Sequence, residues 1–221
     1  AAGAVAVSLC GTSDEPIHYA ERHLPKNLCP LIKSSYGFAI SEQCPYFYFA
    51  DLLVGETTCD GKKKMYELLN EIKPIHVMHL PQGQDMDHAF VYWREELLRL
   101  KEVLEKTFNV EITEDILREE IKERNRERKV LMDFYELGKL NPSPISGCEI
   151  NETIEALGFQ FDRKSQCDFI SKRTKELKEK YEKELKNTKS NRPRILITGC
   201  PVNGVRNKVL KTIEESGADI V

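Results

Sequence analysis

Apolar and polar positions along the 221 residues fall into three textures. The first consists of short, dense apolar runs bounded by turn residues. Ala4 to Leu9 (AVAVSL), ended by Gly11, reads as a buried strand, Leu52, Leu53 and Val54 as a second, and Pro74 to Leu80 (PIHVMHL) as a third. Asp14 to His23 carries helical spacing. Gly61 to Ile72 carries a stripe of Met65, Leu68, Leu69 and Ile72, the mark of a helix with one buried face. Strand, helix and strand at this spacing predict a parallel βαβ unit with helices covering the sheet.

The second texture, after Pro81 and Gly83, is that of long charged helices. Trp93, Leu97, Leu100, Leu104 and Phe108 recur at three and four residues and leave Arg94, Glu95, Arg99, Lys101 and Glu105 for water. Thr113, followed by Glu114 and Asp115, is a helix N-cap with acidic residues in the first turn, starting a helix that runs towards Leu137 and is closed by Gly138, Pro142 and Pro144. A third charged helix is expected from about Asp162 to Lys189, with Ile170, Leu177, Tyr181 and Leu185 on one stripe. Beyond Asn191 the α/β texture returns: a strand over Arg194 to Thr198, a tight turn at Gly199-Cys200-Pro201, a helix over Val202 to Ser216 and a strand from Ala218. The expected architecture is an α/β domain over 1–85, a helical connector over 86–190 and the incomplete beginning of a second α/β domain over 191–221.

Charge and composition narrow the classes of function. Thirty-three Lys and Arg against 36 Asp and Glu leave a net charge of −3, without the global positive field of an obligate nucleic-acid binder. No apolar run reaches the roughly 18 residues of a membrane span, and the opening residues lack the basic flank of a secretory signal. A cytoplasmic location with neither nucleic acid nor membrane as partner is expected. The chain opens on Ala1 and stops on Asp219-Ile220-Val221, and reads as a piece of a longer protein.

Seven widely spaced cysteines, at 10, 29, 44, 59, 148, 167 and 200, fit poorly with a disulfide framework in such a compartment. Cys29, Cys44 and Cys200 are each followed by proline, which favours the first helical position and so puts each cysteine at an N-cap, where free amides favour a thiolate. Cys59 follows Glu56-Thr57-Thr58 and precedes Asp60-Gly61 and three lysines, Lys62 to Lys64. Thiolates near cations at strand-to-helix turns suit an iron-sulfur cluster or a nucleophilic cysteine. Cys10, Cys148 and Cys167 read as packing or surface residues, Cys44 as structural, and Cys200 as ligand, site wall or packed small residue. Zinc has no support from a C-x-x-C pair, and His76 and His79, three apart in a strand, face opposite sides.

Two segments make the chain recognisable. Ala20-Glu21-Arg22-His23-Leu24-Pro25-Lys26-Asn27-Leu28-Cys29-Pro30-Leu31-Ile32-Lys33-Ser34-Ser35-Tyr36-Gly37 and Gly55-Glu56-Thr57-Thr58-Cys59-Asp60-Gly61-Lys62-Lys63-Lys64-Met65-Tyr66-Glu67 resemble the 2-hydroxyacyl-CoA dehydratase and benzoyl-CoA reductase family of the D-component type, most closely its double-cubane-cluster branch. Pro144-Ile145-Ser146-Gly147 and Ile197-Thr198-Gly199-Cys200-Pro201 extend the resemblance over essentially the whole chain. The resemblance implies an oxygen-sensitive subunit of two Rossmann-like domains joined by helices, with an iron-sulfur cluster (4Fe-4S, or an eight-iron double cubane shared by two subunits) held by three cysteines. Cys29 and Cys59 match two of those ligands, the third falls beyond Val221, and Cys200 is left as a wall of the site. On the dehydratase pattern an ATP-hydrolysing iron-sulfur activator delivers one electron, which passes to a 2-hydroxyacyl-CoA carbonyl and yields a ketyl radical that expels the hydroxyl. On the double-cubane pattern a homo- or heterodimer reduces small molecules. Lys62, with Lys63 and Lys64, then steers an acidic partner or a CoA phosphate, or is simply the solvated first turn of a helix. Glu56 handles a proton beside the cluster or makes a structural hydrogen bond.

Two other readings stand beside this one. Gly199 and Gly204 after a strand resemble a phosphate-cradling turn, without a full G-x-G-x-x-G. The charged stretch Asp162 to Lys189 suits a non-catalytic helical interaction module or an ordinary solvated helix face.

Overall fold

The computed structural model describes residues 1–11, 13–158, 161–199 and 206–221. They form two compact units, Ala1–Leu117 and Arg118–Val221. The expected turn at Cys200-Pro201, the glycine at 204 and the start of the helix expected from Val202 lie outside the described residues.

In the first unit the Ala4 to Leu9 run forms no strand, contrary to its apolar pattern. Val5 is 63% exposed and Ala4 to Ser8 lie open to solvent. An apolar run becomes a strand only where a neighbouring strand pairs its backbone, and among the described residues this one has no ladder partner. The helix expected over Asp14 to His23 shortens to a single turn, α1 (Ile17–Ala20), because the chain leaves it through three-residue turns at Arg22 and His23 that fold Leu24 into the core. Two helices then begin at Cys-Pro steps, α2 (Pro30–Ile40) and α3 (Pro45–Phe49), with proline at the first helical position where its missing N–H costs nothing.

The βαβ unit follows as expected. β1 (Leu53–Glu56), α4 (Asp60–Leu69) and β2 (Ile75–Met78) succeed one another, and the strands pair in parallel from Leu53 with Ile75 to Glu56 with Met78. Gly55 in β1 is set by close approach, since a Cβ there would lie 2.5 Å from the Tyr66 ring of α4. The core gathers Ala20, Leu24, Ile32, Tyr36, Phe47, Leu53, Met65 and Leu69. The long helix α5 (Ala89–Phe108) appears where the charged texture begins, but its burial departs from its apolar stripe: Leu97 is exposed, while Ala89 and Glu96 are the buried positions.

The second unit holds most of α6 (Glu114–Tyr135), a short 3-10 turn (Glu136–Lys139), α7 (Gly147–Leu157) and α8 (Arg163–Lys180), which continues as a π turn over Tyr181–Leu185. Asp162 caps α8 through Lys164 and Ser165, and Ser146 with Glu149 forms a capping box on α7. Phe134, Leu137, Ile145, Ile150 and Ile170 make the core. β3 (Arg194–Ile195) pairs in parallel with β4 (Asp219–Ile220), with a π turn (Asn207–Lys211) and α9 (Thr212–Glu215) between them. The buried strand expected over Arg194 to Thr198 is thus reduced to two paired residues, and Leu196 is 72% exposed, because a two-residue partner can neither extend the ladder nor cover its faces. Helices and small parallel sheets together make a mixed α/β fold. No helix among the described residues is long and apolar enough to cross a membrane.

Candidate functional site

The cysteines singled out in the sequence lie at helix starts. Cys29 is the N-cap of α2 and Cys59 the N-cap of α4, both exposed, and neither sulfur makes a capping hydrogen bond to its helix. Cys44 is also an N-cap, of α3, but it is 2% exposed and its Sγ accepts the Phe47 N–H at 3.3 Å.

The two helices that carry Cys29 and Cys59 pack together at their first turns. A Cβ on Gly61 would fall 2.7 Å from Ile32 Cδ1 and 2.8 Å from Leu28 Cδ1, so any larger residue there would have to push these side-chain ends aside. Gly61 is two residues past Cys59, while Leu28 and Ile32 bracket Cys29. The contact therefore places both cysteines at the same end of the unit, just beyond the carboxyl end of β1.

Two clasps hold that end. Thr57 donates its N–H to the Met78 carbonyl at 3.1 Å and accepts the Leu80 N–H on Oγ1 at 2.9 Å, tying the loop that leads to Cys59 to the end of β2. The neighbouring His79 N–H donates to Glu96 Oε2 at 2.9 Å, and Glu96, 1% exposed, also receives Arg99 at 3.0 Å. A buried carboxylate survives because both oxygens are hydrogen-bonded. On the other side, the buried Lys33 donates to the Lys26 carbonyl at 2.7 Å and to Glu21 at 2.8 Å, fixing the loop that ends at Cys29. That ammonium holds the Glu21 carboxyl below its usual range. A cleft of about 820 Å³ borders the same end, lined by Thr57, Lys63, Tyr66, His79, His88 and Tyr92 among others.

The charges around Cys59 are largely paired. Lys62 donates to Glu56 Oε1 at 2.8 Å, and Thr58 Oγ1 approaches the same oxygen at 3.4 Å. The hydrogen bond to Glu56 raises the Lys62 pKa against the opposing effect of burial, and Cys59 is among the negative neighbours that help. Lys63 pairs with Asp60 at 3.1 Å and Lys64 with Glu67 at 2.9 Å, so each cation of the triplet has its own carboxylate.

The remaining cysteines differ. Cys148 is held by burial and by a hydrogen bond to Glu214, which push its thiol up to about 12. Burial also raises Cys167. Cys200 lies outside the described residues. Among those described, no three His, Cys, Asp or Glu side chains converge on a possible metal position. Sequence reading locates Cys29, Cys59, Glu56 and Lys62 but not the supports: Thr57 and Lys33 stand unremarked inside the recognised segments, and Glu96 draws no notice within the long charged helix.

Comparison with known proteins shows the family of the chain. The family model for the 2-hydroxyglutaryl-CoA dehydratase D-component matches residues 1–221. A protein of Escherichia coli K12 named as dehydratase subunit YjiM is 51% identical over 221 residues, covering all of this chain and 57% of that protein. A benzoyl-CoA reductase subunit of Thauera aromatica is 25% identical over 229 residues, covering all of this chain and 56% of that protein. The chain therefore spans little more than half the length of these relatives, and across its whole extent it belongs to the 2-hydroxyglutaryl-CoA dehydratase D-component family.

Proposed function

We propose that this chain is the thiolate-bearing part of a cytoplasmic iron-sulfur subunit in a 2-hydroxyacyl-CoA dehydratase or related reductase system. The observation that carries the reading is the pair of exposed N-cap cysteines, Cys29 and Cys59, on helices whose first turns pack together and whose sulfurs are not used for capping. This donor set fits a cluster. Sulfur is the ligand iron-sulfur clusters take, both thiols are unbonded, and helix N-terminal amides favour the negative charge that ligation requires.

Cys29 and Cys59 would hold the cluster together with a third thiolate from elsewhere in the full-length protein. When bound, the cluster supplies low-potential single-electron transfer. The clasps through Thr57 and Glu96, and the buried Lys33 on the other side, keep both cysteine loops in place. Lys62 puts a positive charge beside Cys59, and Glu56, ion-paired to Lys62, is the acid-base candidate next to the thiols. An acyl-CoA or other small molecule as substrate, a second related subunit and an ATP-hydrolysing iron-sulfur activator complete the proposal.

Anaerobic purification of the full-length protein with iron and sulfide counting and EPR tests it. About four irons per subunit is the result expected for either type; an EPR signal of one isolated cluster per subunit marks the dehydratase type, and one of a single joined eight-iron assembly per dimer the double-cubane alternative. A full-length protein without iron or sulfide under strict anaerobiosis would refute both, and would favour a non-catalytic helical interaction role.

A further inference from the structure

Cys10 and Cys44 are far apart in the chain and in contact in the fold. The Cys10 N–H donates to Cys44 Sγ at 3.5 Å, and the Phe47 N–H donates to the same sulfur at 3.3 Å. Both are free cysteines, Cys44 buried and Cys10 half-buried at the end of the solvent-exposed apolar segment. With the Cys10 backbone nitrogen 3.5 Å from Cys44 Sγ, the Cys10 side chain starts beside its partner's sulfur, the kind of close approach that a disulfide's short S–S bond requires.

We propose that Cys10 and Cys44 form an oxidation site, a dithiol that closes to a disulfide when a two-electron oxidant of the peroxide class reaches it. The accessible Cys10 thiolate attacks one peroxide oxygen, breaks the O–O bond and becomes a sulfenic acid, while the second oxygen leaves as water. Cys44 then attacks the Cys10 sulfur, the S–O bond breaks, and the sulfenic hydroxyl leaves as water with the Cys44 proton. Two thiols are oxidised and one peroxide is reduced to two waters. The product ties the exposed segment before α1 to the start of α3 and encloses Cys29 and α2 in the closed loop.

Burial, followed by the hydrogen bond with Cys44, pushes the Cys10 thiol up to about 11. Closure is consequently slow at neutral pH, and its rate rises roughly tenfold per pH unit below that value as the thiolate fraction grows. Nothing in this site involves the cluster ligands, so the inference does not depend on the proposed function.

The test is oxidant mapping on the reduced, anaerobically purified full-length protein. After limited hydrogen peroxide and blocking of remaining thiols with N-ethylmaleimide, digestion uses trypsin with a glutamate-specific protease, which cuts after Glu56 and separates Cys44 from Cys59. The expected result is a Cys10 peptide joined to a Cys44 peptide, two hydrogens lighter than their sum and released by dithiothreitol. The same link is expected in the Cys29→Ser, Cys59→Ser double variant and not in Cys10→Ser. Cys10 and Cys44 both carrying N-ethylmaleimide, either of them carried on to sulfinic acid, or Cys10 joined instead to Cys29 or Cys59, would overturn the proposal.

Discussion

A cysteine at the start of a helix can use its sulfur to cap the helix or keep it available. Cys44 takes the first course, accepting the Phe47 N–H, whereas Cys29 and Cys59 make no capping bond and stay exposed. In reduced protein free of metal, iodoacetamide is therefore expected to label Cys29 and Cys59 well before Cys44 and Cys148, as read by mass spectrometry over time; equal rates would contradict the contrast. Cys148 sets a second expectation at this scale. Burial and Glu214 raise its pKa to about 12, so the native state binds the thiol proton more tightly than the unfolded chain does. A group of that kind stabilises the fold fully below its unfolded value, about 8.5, and loses the contribution as pH climbs towards 12. Urea unfolding between pH 8 and pH 11 (roughly the lower part of that window) should show an alkaline decline that becomes shallower in Cys148→Ala.

At the scale of elements, the placement of Cys59 depends on the loop between β1 and α4. Thr57→Val removes the acceptor for the Leu80 N–H and should cost about 1 kcal/mol. Glu96→Ala leaves the His79 N–H without its acceptor and empties a buried side-chain position, and should cost about 2 kcal/mol. Both values are read from denaturant midpoints, and lower iron content is further expected in each variant of the full-length protein. The elements that position Cys59 are legible in the sequence, because β1, α4 and β2 each combine a clear apolar period with turn residues at both ends. α7 is not, although Ser146 and Glu149 spell its capping box, since Ile150, Ile154 and Leu157 are interleaved with polar residues. The strand expected at Ala4 to Leu9 fails for a different reason: apolar pattern records what a segment can bury, not whether a neighbour is present to pair with it. The clasps are hidden because they join positions 17 and 23 residues apart through single hydrogen bonds, which leave no periodic trace.

At the scale of the whole molecule, each unit has its own core. Phe134 is fully buried against Leu137, Ile145, Ile150 and Ile170, and Phe134→Ala should destabilise the second unit by about 3 to 5 kcal/mol, measured by thermal or urea unfolding. The thiol end belongs to the first unit alone, whose core runs through Ile32, Leu53, Met65 and Leu69, and there the recognised sequence segments and local geometry coincide: two Cys-containing turns, one glycine-enabled helix contact and a lysine beside the second thiol. The central claim is that Cys29 and Cys59 ligate an iron-sulfur cluster. Its most direct test is iron and sulfide content of anaerobically purified full-length protein carrying Cys29→Ser or Cys59→Ser, with Cys167→Ser as control. Loss of most iron, sulfide and brown colour is predicted in the first two and none in the control; wild-type iron and sulfide in Cys29→Ser and Cys59→Ser would contradict it.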